Sequence, residues 1–396
     1  MKSEGEEGES MFDSIIDLFF MPVTIAIGVL GNSLSIVVLR NKEIQLRDSF
    51  ARILIALAVF DLTLILSSAC IFTIPCFSDT YAKLLYPHIV PFFLPAAQIA
   101  MTASVYTTVI TCFDRYIAIC RPALLGCCGR SEQKTSWCLI CGTAIFSIVY
   151  NFTRFFEFRP ELTIDPSTNL TVFSVEQTAL RKDPLYIQWY ILIANFVFMG
   201  VFPSIIMIVF NLLVVRAVNE ANKKRARMTK RQQRNITVTS MLVSVVVFFL
   251  ICHSVKFIVT LYEIWESVIS PEENWPPWVQ FLTKLSHWLL ILNSSSNIAI
   301  YVHKDPKFKA VFKNILFTYF NKIKTCCVSL RILQKKTPSE DNNSMIEFDN
   351  NKNIKNDGHH DLIEPNYVHV EVVQEDKRSC EELCNQSQKE MKSFDV

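Results

Sequence analysis

Seven long apolar runs recur along the chain, over residues 15–39, 53–74, 89–110, 137–150, 189–215, 238–261 and 279–300. A bilayer core takes about 20 residues of helix at about 1.5 Å rise per residue, and most of these runs reach that length. The hydrophobic fraction of 51% is gathered into the runs instead of dispersed, as it would be for one large soluble core. The pattern therefore reads as an all-α membrane protein, a seven-transmembrane helix bundle. The fourth run is the shortest, and Asn151 and Thr153 beyond it still leave it able to span with its flanks. The first follows an acidic start without a basic segment or a small-residue cleavage site, and reads as a retained anchor.

Loop charge gives the orientation. Arg40, Lys42 and Arg47 follow the first run, Arg115, Arg121, Arg130 and Lys134 follow the third, and Arg216 to Arg234 holds eight basic residues after the fifth. The opposite side carries Glu4, Glu6, Glu7 and Glu9, then Glu263, Glu266, Glu272 and Glu273. Positive-inside topology places residues 1–13 outside the cell, the span region over 14–303, and the rest of the chain in the cytoplasm. The net charge of +2 conceals this asymmetry. A multi-pass plasma-membrane protein is expected, with no nucleic-acid partner.

Thirteen cysteines do not form a disulfide framework, because most fall on the cytoplasmic side where thiols stay reduced. Cys127-Cys128 and Cys326-Cys327 are adjacent pairs, not the two-to-four-residue spacings of zinc sites. The long outer connection, 154–184, contains the acceptor sequon at Asn169. Residues 304–317 set Phe308, Val311, Phe312, Ile315 and Leu316 on one face against lysines, the pattern of a short amphipathic helix on the inner membrane surface. Cys326 and Cys327 beyond it are candidate palmitoylation sites, or two ordinary thiols. Residues 318–396 turn polar and acidic, which reads as a disordered tail.

Particular residues then carry a resemblance. Gly31 and Asn32 stand in the first run, Asp61 in the second, Asp114-Arg115-Tyr116 at the inner end of the third and Trp137 in the fourth. Pro203 lies in the fifth, Phe249 and Cys252 in the sixth, and Asn297 and Tyr301 in the seventh. In this order they resemble the rhodopsin-like G-protein-coupled receptors, over roughly residues 15–316. The resemblance implies that Asp114, Arg115, Tyr116, Asn297 and Tyr301 serve activation and coupling to a heterotrimeric G protein; a static charge pair at the membrane edge is the plain alternative for Asp114 and Arg115. It also implies an allosteric sodium ion on Asp61, Ser104, Asn293, Ser294 and Asn297. A hydrogen-bonded Asp61 with water and no ion is the alternative there. Arrestin and a receptor kinase are expected at tail residues such as Thr337, Ser339 and Ser344.

Departures from the family pattern accompany these matches. Val90 stands where the third helix usually supplies a disulfide cysteine, and residues 154–184 contain no cysteine. The sixth helix has His253 and Val255 in place of the usual Trp and Pro, the seventh has Ile298 in place of a Pro, and the fifth has Asn211 in place of a Tyr. Ala97 removes the carboxylate that amine receptors use, and Ile291 the lysine that opsins use.

The remaining polar residues outline a binding site. His253, Lys256, Thr260 and Glu263 recur every three or four residues, so they share one helix face, which must turn away from lipid. Gln98 and Met101 supply the third helix, with Phe92 and Phe93 above them, and Lys284, His287 and Trp288 the seventh. Glu263 and Glu266 at the rim suit an arginine and the aromatics suit a phenylalanine ring. A structural polar group is the alternative for each. "RFFEF", "ALRKDPLYIQWY" and "ICHSVKFIVTLYE" are similar to invertebrate receptors for FMRFamide-type and myosuppressin-type neuropeptides. An extracellular Arg-Phe-amide peptide is thus the expected ligand, a different peptide the alternative within the class. A transporter is the alternative outside it, disfavoured by the lack of an internal repeat. No nucleophile–base or metal constellation suggests an enzyme, and no cofactor is expected beyond the sodium ion.

Overall fold

The structure is a computed structural model that describes residues 15–121, 132–164, 171–223, 230–269 and 276–336. Helix α1 (Met21–Arg40) is entered through a π-helical turn, Ile16–Phe20. Helix α2 (Asp48–Ser68) continues through the π-helical turn Ala69–Thr73 into Ile74–Phe77. Helix α3 (Tyr86–Cys120) follows the turn Tyr81–Leu85, and α4 spans Glu132–Tyr150. Helix α5 (Phe202–Lys223) is preceded by π-helical turns at Tyr186–Ala194 and Phe196–Val201. Then come α6 (Lys230–Ile269), α7 (Pro277–Lys304) and α8 (Pro306–Lys336). Four of the widened turns end two residues before a proline, at Pro22, Pro75, Pro87 and Pro203. Proline has no N–H to give to the preceding turn and its ring crowds the carbonyl there, so the ladder loosens locally.

Among the described residues six helices, α1 to α6, are long and apolar enough to cross a membrane. Helix α7 falls short because its sequence carries Lys284, His287, Asn293, Ser294, Ser295, Ser296 and Asn297. It packs against α1, α2 and α6, so these groups meet protein instead of hydrocarbon. Close approach of α1 to α7 depends on glycine. A Cβ at Gly28 would overlap Ser295 Oγ and Ile65 Cδ1, and one at Gly31 would lie 2.8 Å from Ile298 Cγ2. Asn32 then reaches across, donating from Nδ2 to the Ser294 carbonyl at 2.9 Å.

Helix α3 is central, packed on α2, α4 and α5. An inner core of Val38, Phe50, Leu54, Met241, Tyr301 and Phe308 joins the ends of α1, α2, α6, α7 and α8. A second cluster, Val105, Met199, Met207, Val246 and Phe249, joins α3, α5 and α6.

The long outer connection is not a plain loop. Strands β1 (Phe158–Ile164) and β2 (Thr171–Gln177) form an antiparallel hairpin running from Phe158↔Gln177 to Ile164↔Thr171. Its tip, with Asn169, lies outside the described residues. The hairpin needs no disulfide at its base. Thr178 donates from its backbone N to the Glu157 carbonyl at 3.0 Å and from Oγ1 to the Phe156 carbonyl at 2.6 Å. Tyr186 Oη donates to Glu157 Oε1 at 2.9 Å, and Phe173 meets the His88 ring edge-on.

Helix α8 begins where Asp305 Oδ1 accepts from the backbone N of Lys307 at 3.0 Å, an N-cap. It runs further than residues 304–317, because no Pro or Gly interrupts the sequence before Lys336. Cys326 and Cys327 lie on its distal part, but their side chains are outside the described set, as are residues 1–14 and the tail from 337 with Thr337, Ser339 and Ser344.

Candidate functional site

The outer half of the bundle encloses a cavity of about 540 Å³, between α3, the π-helical turns that lead into α5, α6, α7 and the base of the hairpin. That volume lies within the range of small-ligand pockets, roughly 300–1,000 Å³. Helix α6 supplies one wall with His253, Lys256, Thr260, Glu263 and Glu266, spaced three or four residues apart and so facing one way. Gln98 and Met101 come from α3, and Thr283 and His287 from α7. At the floor, His253 stacks on Phe249 with ring centres 3.8 Å apart, an imidazole at the position noted above for its departure from the usual Trp.

Charges line this cavity in both signs. Lys256 Nζ stands 3.9 Å from Glu263 Oε1. Glu266 is only 6% exposed, and its Oε1 has no hydrogen-bond partner. Facing this wall are Arg154, Arg181 and Asn195, which the sequence did not single out. Arg154 and Arg181 flank the hairpin, outside any apolar run, where helical periodicity gives no signal.

Two residues expected at the ligand turn elsewhere. Lys284 pairs with Asp17 at 3.1 Å, and Trp288 donates from Nε1 to Thr24 Oγ1 at 3.0 Å while its ring packs on Phe20. Both therefore face α1, and neither lines the cavity. Phe92 is 65% exposed, on the outside of α3, while Phe93 packs inward against Leu64 and Ala97.

Deeper in the bundle Asp61 is fully buried. Its Oδ1 accepts from Ser104 Oγ at 2.6 Å and its Oδ2 from Asn297 Nδ2 at 2.8 Å, with Ser294 also in hydrogen-bonding reach. One carboxylate beside two hydroxyls is an all-oxygen donor set that suits a hard monovalent cation. Asn297 presents an N–H and not its oxygen, and Asn293, half-buried on α7, is not among the hydrogen-bond partners of Asp61 in the described residues.

At the inner end Asp114 is bound by both Arg47 and Arg115. Arg115 is 5% exposed, and its guanidinium carbon stands 3.6 Å from the centre of the Phe50 ring. Tyr116 stacks on Phe210, and Tyr301 packs edge-on against Phe308. Arg234 of α6 binds Asp305 and donates to the Ile44 carbonyl at 3.0 Å.

This helix order, with a buried acid at mid-bundle and an Asp–Arg pair at the inner end, coincides with a family-wide match. The pattern defining the 7 transmembrane receptors (rhodopsin family) matches residues 31–301, well over half of the chain. The chain belongs to this receptor family. It is therefore a multi-pass membrane protein and a G-protein-coupled receptor by family, not an enzyme. The receptor is 30% identical over 301 residues to the FMRFamide receptor of Drosophila melanogaster, covering 74% of this chain and 52% of that protein. It is 27% identical over 309 residues to FMRFamide peptide receptor frpr-18 of Caenorhabditis elegans, covering 74% and 67%. Galanin receptor type 1 of Homo sapiens is 26% identical over 318 residues, covering 78% and 84%. The receptor spans about half the length of the Drosophila relative.

Proposed function

We propose that this receptor sits in the plasma membrane with its N-terminus outside, binds an extracellular neuropeptide ending in Arg-Phe-amide, and signals to a heterotrimeric G protein. The observation that carries the reading is Glu266: a carboxylate almost wholly buried in the cavity wall, with one oxygen unpartnered. Burying an ionised acid without full hydrogen bonding is costly, and an incoming guanidinium supplies the missing donors in bidentate form. Glu263 beside it is already engaged with Lys256, so Glu266 is the better-placed acid. Phe196, Phe257 and the His253 ring offer aromatic surface for the terminal phenylalanine. The names of the Drosophila and Caenorhabditis relatives point to the same peptide class.

Asp61 with the Ser104 and Ser294 hydroxyls is the proposed sodium site. Coupling to the G protein is assigned to Asp114, Arg115 and Tyr116, and regulation to arrestin and a receptor kinase. Cys326 and Cys327 are proposed as lipid anchors and Asn169 as a glycan site.

The test is second-messenger output, calcium and cyclic AMP together, in cells exposed to Arg-Phe-amide peptides, their free acids and unrelated amidated peptides. A response needing both the terminal Arg-Phe and the amide supports the reading. Glu266→Gln is then expected to raise the half-maximal concentration about 10- to 100-fold, as for loss of a charged hydrogen bond worth about 1.5–3 kcal/mol. A response confined to unrelated peptides would discard the ligand class and keep the receptor.

A further inference from the structure

The cavity holds a second unused group, of opposite sign, on the far wall from Glu266. Helix α4 ends at Tyr150 and the chain makes one 3₁₀ turn, Phe152–Phe156, before entering β1. The base of that turn is fixed, because Asn151 Nδ2 donates to Thr102 Oγ1 of α3 at 2.8 Å. Arg154 projects from the turn and lines the cavity, with its side chain nine-tenths buried at 10% exposure.

Its guanidinium is aimed from two sides. Nη1 stands 3.4 Å from Glu157 Oε1, and the guanidinium carbon lies 5.3 Å from the centre of the Tyr190 ring. Glu157 is itself 1% exposed, and the same Oε1 accepts from Tyr186 Oη at 2.9 Å. Tyr190 is held in turn, donating from Oη to the Tyr150 carbonyl at 2.6 Å. A guanidinium carries five N–H donors in a rigid fork. Here Nε is buried and has no hydrogen-bond partner.

A hairpin staple would be complete without that unused donor. An unmet buried donor on a charged group is a standing cost, and a buried ion pair is only marginal when its hydrogen bonds are incomplete. Both penalties vanish if an oxygen from the cavity side accepts from Nε. We propose that Arg154 is a ligand-recognition residue that binds an oxygen acceptor of the peptide, with Glu157 and Tyr186 as its positioning residues. The acceptor is a carboxylate or a main-chain carbonyl, the same chemistry from two sources. This inference rests on the peptide-receptor reading above and adds a second contact, with the peptide bridging the acidic wall of α6 and the basic turn after α4.

The test uses three probes on the full-length receptor in cells: Phe-Met-Arg-Phe-amide, and the same peptide extended at its N-terminus by Asp or by Asn. Arg154→Gln is expected to raise the half-maximal concentration tenfold or more at matched surface expression. Arg154→Lys, which keeps the charge and loses Nε and the fork, is expected to raise it nearly as much, and it is the variant read if Arg154→Gln fails to reach the surface. Glu157→Gln and Tyr186→Phe are expected to raise it a few-fold. Combined with Arg154→Gln they are expected to add nothing, since they act through Arg154. A purely structural role would lower surface expression and leave the potency of the receptor that reaches the surface unchanged. A loss larger for the Asp-extended than for the Asn-extended peptide identifies a carboxylate acceptor, and an equal loss for all three identifies a main-chain carbonyl. Unchanged potency in both Arg154 variants, with the wild type responding, overturns this inference and leaves the ligand class intact. A wild type silent to all three peptides overturns the ligand class and this inference with it.

Discussion

At the inner end of the bundle Asp114 is held between Arg47 and Arg115, and Asp305 receives Arg234. Around the outer cavity Glu266 keeps a carboxylate oxygen without a partner and Arg154 an unused N–H. Arg234 Nε is likewise buried without a partner, so the two ends differ not in spare donors but in what their paired atoms join. The inner pairs join separate elements: Arg47 precedes α2 and Asp114 lies on α3, while Arg234 lies on α6 and Asp305 at the joint of α7 and α8. Such bonds resist relative motion of the helices they tie. Of the outer groups Arg154 pairs with Glu157, three residues on, and the partner proposed for Glu266 and Arg154 comes from outside. On the proposed reading, recognition lies at one end and restraint at the other.

The largest expected effect comes from breaking the inner restraint. Arg234→Ala removes both the Asp305 pair and the donor to the Ile44 carbonyl, contacts worth together about 1.5–3 kcal/mol when one partner is charged. If they hold α6 inward, ligand-independent signalling is expected to rise about tenfold or more at matched expression. Asp305→Asn is expected to act in the same direction, and the exchange Arg234→Asp with Asp305→Arg to restore quiescence in part. Basal signalling unchanged by all three would show that the pair is packing and not restraint, and the contrast between the two ends would fail.

Much of this architecture was legible in the sequence, for identifiable reasons. Hydrocarbon demands length and apolarity, so the helices announced themselves, and the α6 stripe from His253 to Glu263 followed from helical spacing. Helix α7 shows where such reasoning stops. Thr283 and His287 share one face, and Lys284 and Trp288 share the next, about 100° around the axis. Both faces are polar, and only packing reveals that the first meets the cavity while the second meets α1. The hairpin is hidden when residues 154–184 are taken as one outer loop, although β1 alternates Phe158, Pro160, Leu162 and Ile164 with Arg159, Glu161 and Thr163 in the period-2 manner of a strand. Arg154 was missed with it, since its neighbours Glu157, Tyr186 and Tyr190 are brought together only by that fold.

A smaller effect is expected midway between the ends. Asp61 is neither open like Glu266 nor paired with an arginine like Asp114, and it accepts from Ser104 and Asn297. A sodium ion bound there would be linked to agonist binding with a coupling of about 1 kcal/mol or more, hence about fivefold in affinity. Agonist affinity measured in membranes with sodium or with N-methylglucamine should differ by that factor in the wild type and be equal in Asp61→Asn. Equal affinity in the wild type would leave Asp61 as a hydrogen-bonded acid without an ion.

The smallest effect belongs to an outer charge that is already paired. Lys284 lies near the ligand-facing wall in sequence, yet it reaches Asp17 on the far side of α7, and both side chains are a third or more exposed, at 40% and 33%. Exposed ion pairs are typically worth about 1 kcal/mol or less. Lys284→Gln should therefore shift peptide potency by less than about threefold, while Glu266→Gln and Arg154→Gln shift it tenfold or more. What separates these three is not closeness to the outer surface or charge as such, but whether a buried atom of the group is left without a partner. A large loss in Lys284→Gln would mean that the ligand displaces Asp17 and recruits the lysine, and the cavity would then extend past α7 toward α1.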